Sequence, residues 1–129
     1  MLPVNILLID RHAVFTDGVI SFLKLHSDLK VVATATTSEW GLREARAQRL
    51  DVIIVGLESR GARGLTTIKR LRASCPTTGI IALSLHDHAS YQRAALSSGA
   101  DDFVSKLRVV EDLVPAIQRV VQYRSADSD

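Results

Sequence analysis

The chain has 129 residues, 47% of them hydrophobic, which suffices for one core and excludes two independent domains. Its 16 basic and 14 acidic residues leave a formal charge of +2, so the composition gives no ground for general attraction to nucleic acid or membranes. The single cysteine, Cys75, excludes an internal disulfide, and the N-terminus MLPVNILLID has neither a basic leader nor a long apolar segment, which suits a cytoplasmic protein.

In chain order the predicted elements are strand 4–10, helix 13–26, strand 30–35, helix 38–49, strand 51–57, helix 64–74, strand 79–85, helix 89–98, strand 101–105 and helix 110–123. The runs Ile6 to Ile9, Val52 to Leu57 and Ile80 to Leu85 show no alternation of apolar and polar residues, the pattern of strands covered on both faces. Each is far shorter than the roughly 20 residues that cross a bilayer. In the first helix Val14, Gly18, Val19, Phe22 and Leu23 share one predicted face. Leu42, Ala45 and Ala47 fit a second helix with Ser38 as N-cap. The small polar tail 125–129 reads as a frayed end or the start of a linker, which leaves 1–124 as the domain.

This five-fold alternation of strand and helix predicts an α/β fold, a doubly wound five-stranded parallel sheet in the order 2-1-3-4-5. Any chemistry then belongs in the loops after Ile9 and Leu57, at the carboxyl ends of strands 1 and 3.

The segments ILLIDRHAVFTDGV, DVIIVGLESRGARGL, IIALSLHDH and ALSSGADDFVSKLRVVEDLVPAI, in this order and spacing, resemble the receiver domains of bacterial two-component response regulators from about residue 4 to residue 122. The likeness is greatest to receivers that precede a LuxR-type helix-turn-helix. The resemblance implies a flavodoxin-like fold and a site where acidic residues hold Mg²⁺ beside a phosphoacceptor aspartate. Carried over position by position, it assigns Asp10 to the first acidic position, Ser84 to the hydroxyl ending strand 4, Lys106 to the lysine ending strand 5, and Phe103 to the aromatic switch.

Two positions depart from the family pattern. Arg11 stands at the second acidic position, and Gly56 stands where the phosphoacceptor belongs. The loop GLESRGARG also lacks the usual Met-Pro pair and carries Ser59 and Arg60 there. A typical pocket has a formal charge of about −2, whereas Asp10, Arg11 and Lys106 sum to about +1, and unit charges about 4 Å apart interact by roughly 4 kcal/mol at an effective dielectric near 20. Asp51 lies at the far end of strand 3 and cannot substitute for the missing carboxylate. Glu58 would need a rearranged loop to do so.

The expected role is therefore that of a phosphorylation-independent, non-enzymatic signalling module in transcription regulation, with no metal or cofactor. It would act through a homodimer or another protein partner, and would reach DNA only through an output domain outside these residues. The apolar positions Val110, Leu113, Val114, Ile117, Val120 and Val121 supply the expected interaction surface. It would use either the helix 1 and helix 5 faces or the helix 4, strand 5 and helix 5 face. Alternatives are a receiver that is modified in an unusual way, one that responds to an anion held near Arg11, Ser84 and Lys106, and a small flavodoxin-like enzyme. His86 and His88 lack a third ligand for a metal, and the run around Lys69, Arg70 and Arg72 reads as a solvated helix face.

Overall fold

Residues 3–57 and 62–127 are described by the structure, a computed structural model. Its elements in chain order are β1 (Val4–Ile9), α1 (Ala13–Leu23), β2 (Leu29–Ala35), α2 (Ser38–Ala47), β3 (Val52–Gly56), α3 (Ala62–Ser74), β4 (Gly79–Ser84), α4 (Ala89–Ser97), β5 (Asp102–Ser105), a 3-10 turn (Lys106–Arg108) and α5 (Val109–Asp127). Among the described residues the strands form one parallel sheet in the order β2-β1-β3-β4-β5, as the alternation predicts.

The absence of visible alternation in the strands has a direct structural cause. Side chains two apart share a face, so Ile6, Leu8, Val52, Ile54, Ile81 and Leu83 pack beneath α1 and α5, while Leu7, Ile9, Ile53, Val55, Ile80 and Ala82 pack beneath α2, α3 and α4. Both faces are covered, so the central runs of these strands are apolar at every position.

Several local expectations are corrected. In α1 the buried residues are Thr16, Val19 and Leu23, with Phe15, Ile20 and Phe22 packed alongside, whereas Val14 and Gly18 face solvent. The helix ends at Leu23 because the next amides close tighter turns, Leu25 N–H to Phe22 O at 3.2 Å and His26 N–H to Leu23 O at 3.0 Å. The cap of α2 is Thr37, whose Oγ1 accepts from Trp40 N–H at 3.1 Å. Ser38 is the first helical residue and instead bonds Thr67 across to α3 at 2.7 Å. Ala47 is exposed. Helix α5 runs to Asp127 and so includes part of the stretch expected as a tail. The conformation of Glu58, Ser59 and Arg60 lies outside the described residues.

Arg72 also departs from the solvated face expected for it. Its guanidinium donates to Asp101 Oδ2 at 2.9 Å and to the carbonyls of Gly99 at 3.0 Å, Cys75 at 3.1 Å and Thr78 at 2.6 Å. Asp101 additionally receives Ile80 N–H at 2.9 Å and the guanidinium of Arg124. This network ties α3, the start of β4, the turn before β5 and α5 together at the sheet edge opposite the site. Gly99, at φ +123°, makes that turn in a region that L side chains rarely adopt.

Candidate functional site

The end of β1 delivers Asp10, whose N–H donates to Ala35 O at 3.0 Å and whose side chain turns inward until it is about 1% exposed. Oδ1 accepts from His12 N–H at 2.8 Å, which fixes the turn into α1. Oδ2 accepts from Lys106 Nζ at 2.7 Å. Lys106 opens the 3-10 turn after β5, where Ser105 Oγ accepts Leu107 N–H at 3.2 Å. Its side chain is about 10% exposed, and Nζ also lies 4.5 Å from the centre of the Phe15 ring.

Gly56 is the last residue of β3, and its missing side chain explains where the Asp10 carboxylate goes. A Cβ built on Gly56 would lie 1.9 Å from Asp10 Oδ2 and 2.7 Å from Cγ. The carboxylate of Asp10 thus fills the space a side chain at position 56 would need, and Lys106 pairs with it there. A salt bridge this deeply buried needs further partners: Oδ1 has a hydrogen bond from the His12 amide, and Nζ has a cation–π contact with the Phe15 ring.

The other predicted site residues lie on the neighbouring strands and the loop after β1. Ser84 ends β4 fully buried, and its Oγ accepts His86 N–H at 2.9 Å. Phe103 is part-buried on the α4 side of β5, edge-on to Tyr91 at 6.4 Å between centroids. Burial raises the Tyr91 phenol above its ordinary pKa. Arg11 lines the rim but is exposed, so its charge is screened by solvent. The inner balance therefore rests on Asp10 and Lys106, which neutralise each other. A hollow of about 310 Å³ remains above them, bordered by His12, Leu57, Leu85 and His86.

The expected interaction surface largely dissolves into the core. Leu113, Val114, Ile117 and Val120 are buried against the sheet and α1, because α5 must cover the β4 and β5 flank of its face. Val121 is part-buried, and Val110 stays 68% exposed. His86 and His88 have ring centroids 6.2 Å apart, and among the described residues no three His, Cys, Asp or Glu side chains cluster as metal ligands would. Cys75 is half-buried, and burial raises its thiol pKa, which lowers its thiolate fraction.

A 2-1-3-4-5 sheet whose carboxyl edge gathers an aspartate after β1, a hydroxyl ending β4 and a lysine after β5 defines a receiver-type signalling domain. The chain belongs to the response regulator receiver domain family, whose model matches residues 6–118. It is 32% identical over 117 residues to the nitrate/nitrite response regulator protein NarL of Escherichia coli strain K12, covering 91% of this chain and 54% of that protein. It is 27% identical over 121 residues to the fimbriae Z protein of Salmonella typhimurium, covering 94% of this chain and 58% of that one. The chain thus spans about half the length of the curated relatives it matches. Among solved structures, a LuxR-family two-component response regulator from Aurantimonas sp. SI85-9A1 superposes with a TM-score of 0.87 at 23% identity, covering 95% of this chain and 87% of that one. The response regulator domain of Thermotoga maritima CheB gives 0.82 at 22% identity, covering 93% and 97%. No helix among the described residues is long and apolar enough to cross a membrane.

Proposed function

We propose that this receiver domain signals without aspartyl phosphorylation, as a cytoplasmic protein-interaction module and not as an enzyme. The observation that carries this reading is the carboxylate of Asp10 in the space of a side chain at position 56, bonded to Lys106 at 2.7 Å. Aspartyl phosphorylation needs a nucleophile at the end of β3 and free carboxylates for Mg²⁺. Gly56 supplies no nucleophile, and the carboxylate after β1 is already matched by a lysine. The anion-responsive alternative is less well supported, because Lys106 is paired with Asp10 and Ser84 Oγ accepts a bond from its own loop.

The output is binding to a second copy or to another protein. Val110 marks the exposed beginning of α5, with Leu107 exposed just before it. DNA contact, as in a LuxR-type regulator, would belong to a segment outside these residues. The test is incubation of the native chain with acetyl phosphate and Mg²⁺ followed by intact mass measurement. We expect no phosphate-sized increase, and no rise in melting temperature with Mg²⁺ beyond that of matched ionic strength. A phosphorylated species would overturn the proposal.

A further inference from the structure

Beside the Asp10–Lys106 pair, on the α2 and α3 side, lies a second and larger cleft of about 540 Å³. Its floor is the carboxyl end of β1 and β3, with Ile9, Val55 and Gly56. This is the point where the strand order reverses direction, the crevice at which open α/β sheets take up ligands. The volume falls within the range of small-molecule sites, about 300 to 1,000 Å³.

The walls are largely polar. Ser38 on α2 and Thr67 on α3 share a 2.7 Å hydrogen bond, and Thr67 Oγ1 also donates to Arg63 O at 3.1 Å, so the two helices are tied where the cleft opens. The hydroxyls of Thr36 and Thr66 line it from exposed positions. Arg63 and Arg70 stand on α3 seven residues apart, two turns along one face and about 10 Å in rise. Both are exposed, and among the described residues the guanidinium of neither donates a hydrogen bond or forms an ion pair. This sets them apart from Arg72, Arg108, Arg119 and Arg124, each of which holds an aspartate. Among the described residues, opposing charge is slight. Glu39 lies on the facing wall, and Asp10 is already matched by Lys106. Arg43 and Arg46 border an adjoining hollow that shares Arg70, which extends the positive field outward.

We propose that this cleft binds a small phosphorylated molecule, with its phosphoryl oxygens held by Arg63 and Arg70 and its polar remainder laid against the Thr36 and Thr66 hydroxyls. Two guanidinium forks with flanking hydroxyl donors match the several acceptor oxygens of a phosphoryl group better than the two of a carboxylate. Asp10, Arg11 and Gly56 border both this cleft and the hollow over Lys106, so an occupant here would touch the residues at the centre of the degenerate site.

The test is a ¹⁵N NMR titration of the native chain with sodium pyrophosphate, set against chloride and citrate at equal ionic strength. We expect saturable shifts for the amides of Thr36, Arg63, Gly64, Thr66 and Thr67 with pyrophosphate. The double variant Arg63→Ala/Arg70→Ala should lose at least about tenfold in affinity, or about 1.4 kcal/mol, and Arg63→Gln/Arg70→Gln should agree with it. Both side chains are exposed, so the spectrum elsewhere should be preserved. Lys69→Ala, on the same helix but outside the cleft, should bind as the native chain does. Equal shifts with citrate or chloride, an unchanged response in the double variants, or loss of the response in Lys69→Ala would overturn the proposal.

Discussion

A single missing side chain organises the centre of this domain. Because Gly56 has no Cβ, Asp10 can turn its carboxylate across the end of β3 and meet Lys106. Restoring a side chain should therefore conflict with an interaction the fold already uses. Gly56→Ala must push aside Oδ2, which lies at the end of a side chain but is held by Lys106 and the His12 amide, and should cost about 1 to 3 kcal/mol. Gly56→Asp adds a second carboxylate against one lysine and should cost more. Urea denaturation in a double-mutant cycle checks the cause: in an Asp10→Ala background the Gly56→Ala penalty should largely vanish. A penalty of unchanged size would place the strain elsewhere. Gly56 and Lys106 could be found in the sequence by their family positions. The occupation of one by the partner of the other could not, because it depends on a side-chain torsion at Asp10 and on a contact 96 residues apart in sequence.

Elements are joined by polar ties that composition conceals. Asp101 is surrounded by Arg72, Arg124 and the Ile80 amide, and its side chain is largely buried. Asp101→Ala would strand two partly buried guanidinium groups, and a loss of about 3 kcal/mol is expected in thermal or urea unfolding. Asp102→Ala breaks the more exposed pair with Arg119 and the bond from the Phe103 amide, and should cost less, about 1 kcal/mol. Comparable losses at the two positions would refute the distinction. At α2 the reassigned cap predicts that Thr37→Ala costs about 1 kcal/mol through the lost bond to Trp40 N–H. Ser38→Ala acts instead through its tie to Thr67, so its effect should disappear in a Thr67→Val background while that of Thr37→Ala persists. A serine next to a threonine before a helix leaves the cap ambiguous by one residue, and only the backbone angles at Thr37, φ −129° and ψ 158°, decide it.

For the molecule as a whole, the surface open to a partner is narrower than the apolar content of α5 suggests, since Leu113, Val114, Ile117 and Val120 belong to the core. If the domain self-associates through α5, Val110→Glu should weaken the dimer with little change in unfolding free energy, as measured by analytical ultracentrifugation beside urea denaturation. Ile117→Glu should instead unfold the domain. A Val110→Glu dimer of native strength would exclude the start of α5 as the contact. The sequence by itself determined the alternating elements, the sheet order, the two-sided burial of the strands and the absence of a side chain at position 56, because these follow from apolar periodicity, handed crossovers and residue identity. The tertiary structure alone decided which apolar residues of α5 remain exposed, that Arg72 is a tie and not a solvated charge, and that Arg63 and Arg70 overlook a cleft. It also decided that the carboxylate of Asp10 closes the gap left by Gly56. Each of these depends on which distant segments pack side by side, and local pattern carries no record of that.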